Sequence, residues 1–452
     1  MKVSIIGSGY VGLTTGTCLA WLGHDVTCID SDATKIEKLR AGHCPIFEPY
    51  LEDMLKEAMP RLQFVTTADS IAEADVVFIA VGTPPQPNGS PDLKYLRSAA
   101  EMVGKNLNAH YTVVVNKSTV PIGCGNWVGA LIKDAYETRH PNPKDSFAVA
   151  SNPEFLREGA AIHDSLYPDR VVIGSDDPRA LGMLYALYRP VLEQTFTPPA
   201  NVPRPEHLGA VPVIATDLTS AELIKYAANA FLALKISYIN EIGHLAEKAG
   251  ADIKQVAKGI GLDARIGNGF LQAGVGWGGS CFGKDTAALI STAGEYGVPM
   301  PIVAAAREVN NRQRERLVEK LLGELKILKG RTIGLLGLAF KPNTDDLREA
   351  PALSIIQKLL DLGCNVKAHD PAASERFRAE HGSMAVKLCD SPEQVVDECD
   401  AVVLMTDWQQ YRDLPWAEFS KRMQNPLLLD GRSFFSRQQI EQAGFTYLAF
   451  GA

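Results

Sequence analysis

A single cysteine stands among glycines between residues 276 and 286, in the run Gly-Trp-Gly-Gly-Ser-Cys-Phe-Gly-Lys-Asp-Thr. Glycine lets a backbone take positive φ and approach a ligand closely. A thiol is nucleophilic only as its thiolate, which a neighbouring ammonium favours. With Lys284 and Asp285 just behind it, Cys281 is predicted to be an activated nucleophile on a tight loop, beside a carboxylate that can handle a proton. The alternative is a buried structural cysteine, because free cysteines are often buried.

The first 30 residues carry a second chemical pattern. An apolar run over residues 2–6 precedes a G-x-G-x-x-G sequence, then a helical stretch, an apolar run over residues 23–29 and an acid. The glycines let a pyrophosphate approach, the helix N-terminus attracts it, and the acid accepts hydrogen bonds from a ribose diol while repelling a 2′-phosphate. This favours NAD over NADP; the alternative is a tight helix–strand turn. The predicted cofactor residues here are Gly7, Gly9, Tyr10, Val11, Gly12, Asp30 and Lys35, of which Lys35 is explained nearly as well as an exposed helix lysine.

Hydroxyl side chains follow two further apolar runs that are predicted to be strands. Thr83 comes just after residues 74–81, and Ser118 and Thr119 come just after residues 111–117. Ligands of open α/β sheets bind beyond the carboxyl ends of the strands. These three residues are therefore predicted to contact the cofactor.

Two glutamates follow the next predicted strand. Ser151 and Glu154 have capping-box spacing, and Pro153 suits the first turn of a helix. The spacing predicts that Glu154 and Glu158 share a helix face, where two like charges are unfavourable unless they are used. Glu154 is explained equally by capping and by catalysis, whereas Glu158 has no capping role and points to function.

Residues 217–249 are predicted to form one helix of roughly 50 Å. Its middle is apolar on most faces, which predicts burial between domains or subunits. Lys225 and Asn229 stand four residues apart on one face of it. A lysine in such a segment needs a partner. Lys225 either pairs with Glu222 or supplies a cation for a developing oxyanion, with Asn229 beside it.

The length of 452 residues predicts two or three domains. The net charge of −8 argues against a general nucleic-acid or membrane-surface binder. No apolar run is long enough to span a membrane, and the first residues read as a strand rather than a signal peptide. The eight cysteines show neither a C-x-x-C pair nor metal-ligand spacing, so we expect no metal site and a reducing cytoplasm.

The chain repeats its strand–helix–strand layout after residue 331, but with Gly334 and Gly337 instead of the full glycine pattern. Lys341 and Arg348 flank the ligand edge of this second half, where either could equally be a solvated charge. The predicted fold is α/β, with two doubly wound Rossmann-like domains joined by a long central helix and a helical dimerisation region. Five prolines between residues 195 and 212 predict a surface loop. The predicted boundaries are 1–212 for the NAD-binding domain, 213–328 for the central helical domain with the cysteine loop, and 329–452 for a second Rossmann-like domain, which binds a nucleotide differently or not at all.

Taken together, these motifs resemble the UDP-glucose/GDP-mannose dehydrogenase family over nearly the whole chain. The matching segments are 7–12, 82–84, 118–123, 152–158, 222–229, 278–285 and 340–348. The resemblance implies oxidation of an alcohol to an acid in two NAD-dependent hydride transfers, with UDP-glucose as the favoured nucleotide sugar. A cysteine suits such a reaction, because it can capture an aldehyde as a thiohemiacetal that is oxidised to a thioester and hydrolysed.

The resemblance also implies that residues 329–452 form the nucleotide-sugar-binding domain, and it implies roles for individual residues. Lys225 and Asn229 would stabilise the oxyanion, Asp285 and Thr119 would order or activate water, and Glu154 would assist thioester hydrolysis. Glu158 would lie near the nicotinamide, Lys284 and Arg348 would meet NAD, and Arg265 would reach a pyrophosphate in its own or a neighbouring subunit. The implied lining of the nucleotide-sugar site is Glu154, Phe155, Leu156, Arg157, Glu158, Lys225, Asn229, Arg265, Phe270, Leu271, Gln272, Ala273, Gly274, Gly278 and Lys341.

Other functions stay open at this point. A related dehydrogenase of GDP-mannose or a UDP-N-acetylhexosamine fits the same motifs. A hydroxy-acid dehydrogenase that makes one oxidation, and a non-catalytic nucleotide sensor, are the alternatives from other classes. The expected partners are a small nucleotide sugar and a second copy of the chain, with no nucleic acid and no membrane.

Overall fold

The computed structural model describes residues 1–139 and 146–451. The chain divides into two compact units. The first comprises Met1–Ala228 and Ala287–Tyr296, and the second comprises Asn229–Thr286 and Gly297–Ala452.

The first unit is built on a sheet of eight strands in the order β3-β2-β1-β4-β5-β6-β7-β8. Strands β1 to β6 run parallel in the doubly wound order, which reverses direction between β1 and β4. β7 meets β6 antiparallel, and β8 then pairs with β7, so this sheet extends to Thr216. The strands are β1 Lys2–Ile6, β2 Asp25–Ile29, β3 Leu62–Val65, β4 Val76–Ile79, β5 Thr112–Asn116, β6 Phe147–Ser151, β7 Val171–Gly174 and β8 Val213–Thr216.

Helices cover both faces of this sheet, which is why its central strands are apolar throughout rather than alternating. One core packs Ile5 against Leu13 and Leu19, and another packs Val77 against Leu96 and Ile132. The helices are α1 Tyr10–Trp21, α2 Ala33–Arg40, α3 Leu51–Ala58, α4 Lys94–Asn106, α5 Cys124–Glu137, α6 Ala161–Leu166 and α7 Pro178–Leu192, with 3₁₀ turns at Met59–Arg61 and Asp69–Glu73.

The second unit contains a parallel sheet of six strands in the order β11-β10-β9-β12-β13-β14, which repeats the order of the first six strands. The prediction of a second doubly wound domain is confirmed. The strands are β9 Thr332–Leu336, β10 Asn365–His369, β11 Val386–Leu388, β12 Ala401–Leu404, β13 Leu427–Asp430 and β14 Thr446–Ala449. The helices around it are α12 Pro351–Asp361, α13 Ser374–His381, α14 Pro392–Val396, α15 Trp416–Arg422 and α16 Arg437–Gln442, with a 3₁₀ turn at Gln409–Tyr411.

The predicted long helix is present as α8, Leu218–Ala249, with 32 residues. It begins in the first unit and continues into the second. The remaining helices are α9 Ile253–Gly261, α10 Phe282–Glu295 and α11 Pro301–Leu325. Among the described residues no helix is both long and apolar enough to cross a membrane.

The loop of residues 193–212 connects α7 to β8 without regular structure, as its prolines predict. It is nevertheless anchored on the first unit. Trp21 Nε1 donates to the Thr197 carbonyl at 3.1 Å, and the Tyr167 hydroxyl donates to the Val202 carbonyl at 2.8 Å.

The predicted helix through Glu154 and Glu158 is wrong. Residues 152–157 are irregular and α6 begins only at Ala161. Glu154 does not cap a helix: its carboxylate accepts the backbone N–H of Leu156 at 2.7 Å and the ammonium of Lys225 at 2.9 Å. The spacing therefore does not place the two glutamates on one helix face.

Candidate active site

The glycine turn lies between β1 and α1. Its three glycines, Gly7, Gly9 and Gly12, have different steric surroundings. A Cβ at Gly12 would lie 1.9 Å from the Gly7 carbonyl oxygen, and one at Gly7 would lie 2.6 Å from the Ala80 oxygen. Gly7 also has φ of +97°, which favours glycine. A Cβ at Gly9 would meet no atom within 4 Å, so this glycine borders open space.

That open space fits a dinucleotide pyrophosphate. Gly9 directly precedes α1, whose first turn carries neither a side-chain cap nor an acidic residue. The backbone N–H groups in the first turn of α1 and the positive end of its helix dipole therefore face the space beside Gly9. The turn predicted from sequence thus has the shape that a bound NAD requires.

Asp30 ends β2 and is held rigidly. Its Oδ2 accepts the Ser8 backbone N–H at 2.9 Å, the Ser8 hydroxyl at 2.7 Å and the Lys35 ammonium at 2.9 Å. Burial raises the pKa of Asp30, but hydrogen bonds from its neighbours outweigh burial and bring the pKa to about 2. The carboxylate is therefore ionised at neutral pH and suited to a ribose diol. Lys35 joins the same cluster rather than standing free on the surface.

The hydroxyl residues predicted at the sheet edge lie close together. The Thr83 hydroxyl donates to the Thr119 carbonyl at 2.9 Å, and the Ser118 hydroxyl donates to the Val81 carbonyl at 2.7 Å. Thr83 follows β4 and Ser118 follows β5, two strands that are adjacent in the sheet. The edge beyond β4 and β5 therefore carries all three side chains.

Lys225 pairs with Glu154 in the interior of the first unit. The ammonium donates to Glu154 Oε1 at 2.9 Å, and the two side chains are only 5% and 8% exposed. Burial raises the pKa of Glu154, but the charge of Lys225 and its hydrogen bond outweigh burial, and the pKa lies below its ordinary value. The alternative partner, Glu222, instead accepts the backbone N–H groups of Gly123 and Gly125.

Tyr10 and Glu48 form a contact that sequence reasoning missed. The Tyr10 hydroxyl donates to the Glu48 carboxylate, which also accepts the backbone N–H groups of Gly159 at 2.6 Å and Ala161 at 2.7 Å. Burial, followed by the charge of Glu48, raises the pKa of Tyr10 well above its ordinary value. The contact attaches the glycine turn to the segment that contains Glu158.

A cavity of about 420 Å³ opens next to this contact. Arg157 lines it but is turned toward Asp164, to which its guanidinium donates at 2.6 and 2.9 Å. Glu48, His163 and Val202 lie on the other walls. Arg157 therefore lies at a cavity, with its charge already paired.

The cysteine loop belongs to the second unit. Cys281 immediately precedes α10, and its carbonyl accepts the Asp285 N–H at 2.8 Å, so it stands at the helix N-terminus. The glycines before it are required by close packing. A Cβ at Gly278 would lie 2.4 Å from the Glu349 carbonyl oxygen, and one at Gly279 would lie 2.7 Å from the Phe340 ring.

The cysteine loop lies against the loop after β9, which carries Lys341 and Arg348. The Gly279 N–H donates to the Arg348 carbonyl at 3.0 Å. The structure therefore brings together two motifs separated by about 60 residues in the sequence. Arg348 itself pairs with Asp346 at 2.7 Å, and Lys341 lies over the Phe340 ring at 5.5 Å.

Arg432 links these two loops, a role that sequence reasoning did not assign. Arg432 is partly buried, and its guanidinium donates to the carbonyls of Met405 at 2.7 Å, Phe340 at 2.8 Å and Gly276 at 3.2 Å. The sequence signal that could have identified Arg432 is its position two residues after β13, because that position lies at the ligand edge of the second sheet.

Asp285 is buried between two donors. Asn229 Nδ2 donates to one carboxylate oxygen at 2.6 Å, and the Lys284 ammonium donates to the other at 2.6 Å. Lys284 therefore pairs with the adjacent carboxylate, whereas the sequence placed it as the ammonium that activates Cys281. Asp285 is oriented by both contacts.

Residues 270–274, which are predicted to line the sugar site, include both buried and exposed side chains. The side chains of Leu271 and Ala273 are buried in an apolar cluster with Ile239, so only their backbone is available to a ligand. Phe270 is partly exposed and has φ of +64°. The Gly274 N–H donates to Asn240 at 2.8 Å, and Gln272 is exposed.

Arg265 is not part of any cluster formed by the other predicted site residues. Its side chain is 89% exposed and pairs with Asp263 at 2.6 Å. A role for Arg265 therefore requires a ligand or a second chain to reach it, as the neighbouring-subunit prediction supposes.

The second sheet repeats two features of the first at the turn after its opening strand. Asp370 ends β10 and accepts the backbone N–H groups of Leu338 at 2.7 Å and Ala339 at 3.0 Å, much as Asp30 accepts Ser8. A Cβ at Gly337 would lie 2.4 Å from Thr406 Cβ. Gly337 directly follows β9 as Gly7 directly follows β1, and a Cβ at Gly7 would likewise be blocked, by the Ala80 carbonyl oxygen at 2.6 Å.

The open glycine turn, the ionised Asp30, two doubly wound sheets and the loop of Cys281 define an NAD-dependent oxidoreductase with a second nucleotide-binding domain. Three family models match the chain. The UDP-glucose/GDP-mannose dehydrogenase NAD binding domain matches residues 1–192, the central domain matches 219–312, and the UDP binding domain matches 334–437. The chain belongs to the UDP-glucose/GDP-mannose dehydrogenase family.

Individual relatives agree with this assignment. The chain is 44% identical to UDP-glucose 6-dehydrogenase TuaD of Bacillus subtilis (strain 168), over all of this chain and 93% of the relative. It is 42% identical to the UDP-glucose 6-dehydrogenase of Rhizobium meliloti (strain 1021), over all of this chain and 99% of the relative. Among solved structures it resembles a UDP-glucose dehydrogenase from Pyrobaculum islandicum, with 39% identity, a TM-score of 0.87 and coverage of 99% of this chain and 96% of that one.

Proposed function

We propose that this enzyme oxidises the C6 hydroxymethyl group of UDP-glucose to a carboxylate, giving UDP-glucuronate and two NADH for each sugar. The observation that carries the proposal is the pairing of full-length relatives named UDP-glucose 6-dehydrogenase with a cysteine at a helix N-terminus. A single alcohol oxidation needs no thiol, whereas a four-electron oxidation can use one to hold the aldehyde.

NAD⁺ supplies the hydride acceptor for each of the two oxidations. The first unit would hold it with the glycine turn under the pyrophosphate, Asp30 and Lys35 at the ribose, and the hydroxyl residues of the sheet edge. The proposed contacts beyond the turn are Thr83, Ser118, Thr119, Glu158, Lys284 and Arg348.

In the proposed reaction the thiolate of Cys281 forms a C–S bond to the aldehyde carbon, and the resulting thiohemiacetal, ionised at the sugar oxygen, loses hydride to NAD⁺ and becomes a thioester. Lys225 and Asn229 stabilise the negative charge on the sugar oxygen in these steps. Water then adds to the thioester carbon, the C–S bond breaks, and the thiolate of Cys281 leaves. Glu154 accepts a proton from that water, while Asp285 and Thr119 orient it.

This scheme requires Cys281 and Lys225 to act on the same sugar carbon, which stays a prediction. The structure already fixes the local surroundings of each of these two residues. Lys225 is fixed by a buried carboxylate, and the helix start at Cys281 is fixed by the packing of Gly278 and Gly279. The nucleotide sugar would be lined by residues 154–158, by the backbone of residues 270–274, and by Gly278 and Lys341, with Arg265 reaching its pyrophosphate.

NADH counting tests the proposal. Incubation with limiting UDP-glucose should release two NADH for each sugar and yield the uronic acid, whereas a hydroxy-acid dehydrogenase releases one. Parallel assays with GDP-mannose and UDP-N-acetylmannosamine distinguish the related dehydrogenases. A higher kcat/KM with either of those, or one NADH per UDP-glucose, would contradict the proposal.

We also infer a homodimer that forms through α8. Phe231, Tyr238 and Leu245 recur every seven residues on this helix and are 59%, 51% and 64% exposed. A seven-residue apolar repeat is typical of helices that pack against each other. Large exposed apolar side chains in such a row favour a protein partner over water.

The proposed domain boundaries remain 1–212, 213–328 and 329–452. Strand β8 lies at the start of the central domain and completes the first sheet. Cytoplasmic residence is proposed because all eight cysteines are free thiols. Burial raises the pKa of the six that are buried: Cys18, Cys28, Cys124, Cys364, Cys389 and Cys399.

A further inference from the structure

Lys117 follows β5 at the ligand edge and has no role in the scheme above. Its ammonium donates to Asn152 Oδ1 at 2.9 Å, and the Tyr188 hydroxyl donates to the same oxygen at 2.6 Å. Asn152 is itself fixed, because its Nδ2 donates to the Val172 carbonyl at 2.7 Å. Lys117 is therefore a buried cation held by a rigid neutral acceptor.

The charge of Lys117 acts on Glu154, which lies two residues beyond Asn152. Burial lowers the pKa of Lys117 to about 8, with Glu154 opposing that change and Lys225 adding to it. Lys117 in turn contributes to the lowered pKa of Glu154, after Lys225. One buried carboxylate is thus under the influence of two buried cations.

The second cation is not needed to neutralise Glu154, since the ion pair with Lys225 already does so. An additional buried charge costs several kcal/mol of desolvation, and an apolar side chain of similar volume would avoid that cost. Such a charge has a use if the first cation is drawn to another anion. That situation arises when Lys225 moves its hydrogen bonds to the sugar oxygen.

We propose that Lys117 is a positioning residue that keeps Glu154 ionised while Lys225 stabilises the substrate oxyanion. The inference rests on the proposed role of Glu154 in thioester hydrolysis. An ionised carboxylate can accept a proton from water, whereas a protonated one cannot, so Lys117 would maintain the base in its active form during the step that follows oxidation.

Arg170 and Tyr188 are further charged or titratable groups beside this cluster. Arg170 comes just before β7, and its guanidinium lies 3.8 Å from the centroid of the Phe155 ring. The Lys225 ammonium lies 5.4 Å from the centroid of the same ring. From α7, Tyr188 stays neutral because burial raises its pKa. Lys225 and Lys117 each supply a cation that lowers the pKa of Glu154.

The test is the pH dependence of acid formation by Lys117→Met. Removing the cation should raise the pKa of Glu154, so the acid limb of kcat moves to higher pH. Activity should therefore be lost at the acidic end of the pH range and change little near about pH 8.5. NAD affinity should not change. Lys117→Gln should show the same shift, because it retains an amide donor but no charge.

Tyr188→Phe is the matched control. It removes the other donor to Asn152 Oδ1 without changing any charge, so it should lower thermal stability but leave the acid limb in place. In a Glu154→Gln background, Lys117→Met should have no further effect on the pH profile. An unmoved acid limb in both Lys117 variants, or an equal shift in Tyr188→Phe, would overturn the proposal.

Infrared spectroscopy separates this inference from the proposed function. The carboxylic-acid stretch of Glu154, assigned by its loss in Glu154→Gln, reports protonation without turnover. A higher midpoint in Lys117→Gln than in the wild type supports the electrostatic role even if UDP-glucose is not the substrate. Equal midpoints with a normal yield of two NADH would refute the role of Lys117 and leave the proposed function standing.

Discussion

The side-chain amide of Asn229 donates a 2.6 Å hydrogen bond to the carboxylate of Asp285, which joins the long helix α8 to the helix that begins after Cys281. Both side chains are buried. The other oxygen of Asp285 accepts from Lys284, so the carboxylate has a single fixed orientation. Such a group can orient water or a thiol without the reorganisation that a mobile carboxylate would need.

Asp285→Asn should lower kcat about 10²-fold, because a neutral amide cannot accept from both donors or accept a proton. The KM for UDP-glucose should change little. Steady-state NADH formation measures both quantities. Asp361→Asn, which alters an exposed carboxylate at the end of α12, is the control and should match the wild type. A wild-type kcat for Asp285→Asn would remove Asp285 from the proposed reaction.

Cys281→Ser should bind NAD normally but lose acid formation by about 10³-fold or more, because a hydroxyl at this position is a far weaker nucleophile than a thiolate. Product analysis and NADH counting on limiting UDP-glucose measure the loss. Cys44→Ser replaces another thiol that is only partly buried and should be neutral. Continued formation of uronic acid over many turnovers by Cys281→Ser would refute covalent catalysis.

Asp30→Asn should weaken NAD binding about tenfold, since one charge-assisted hydrogen bond to the ribose diol is worth roughly 1.5–3 kcal/mol. The ratio of the affinity for NAD to the affinity for NADP should decrease as well. Titration of protein fluorescence gives both affinities. Asp370→Asn makes the equivalent change in the second sheet, where Asp370 accepts the N–H groups of Leu338 and Ala339. Its NAD affinity should equal the wild type, and an equal loss in both variants would indicate general destabilisation.

Glu222 predicts a pH-dependent stability. Burial raises its pKa from 4.5 to about 7, against the hydrogen bonds from Gly123 and Gly125. A carboxyl group whose pKa is higher in the folded chain stabilises the fold fully below its unfolded pKa, and the contribution is lost as pH rises through 7. Between about pH 5 and about pH 8 the wild type should therefore lose roughly 3 kcal/mol more than Glu222→Gln.

Thermal unfolding across that pH range checks this prediction, with Glu193→Gln as the control. Glu193 is an exposed carboxylate after α7, and its removal should leave the pH dependence of the wild type intact. Parallel curves for the wild type and Glu222→Gln would show that Glu222 is ionised at all pH values tested.

Leu245→Glu should convert the proposed dimer to a monomer, because it places a charge in the exposed apolar row of α8. Light scattering at a fixed protein concentration measures the mass. Ile327→Glu is the matched control, since Ile327 is 66% exposed, close to the 64% of Leu245, but lies beyond α11. A monomeric wild type, or a dimer of Leu245→Glu, would exclude this interface.

The local patterns of the sequence were sufficient for the fold class and for the NAD turn. Gly7, Gly9 and Gly12 follow a strand and open a helix, and each has a separate steric or ligand-facing role in the structure. Asp30 stands at the end of β2, as its spacing predicted. These features are readable because strands, helices and turns impose short periods and require glycine at particular places.

The partners of buried charges were decided by the tertiary structure alone. Lys225 has Glu222 three residues away on its own helix, yet it pairs with Glu154, which is 71 residues distant in the chain. Lys117 looked like the last residue of a strand, and the structure places its charge within the influence of the same carboxylate. Sequence spacing along one helix predicts only nearby pairs, whereas the order of strands in a sheet determines which distant loops meet at its edge, and burial makes those distant pairs the ones that matter energetically.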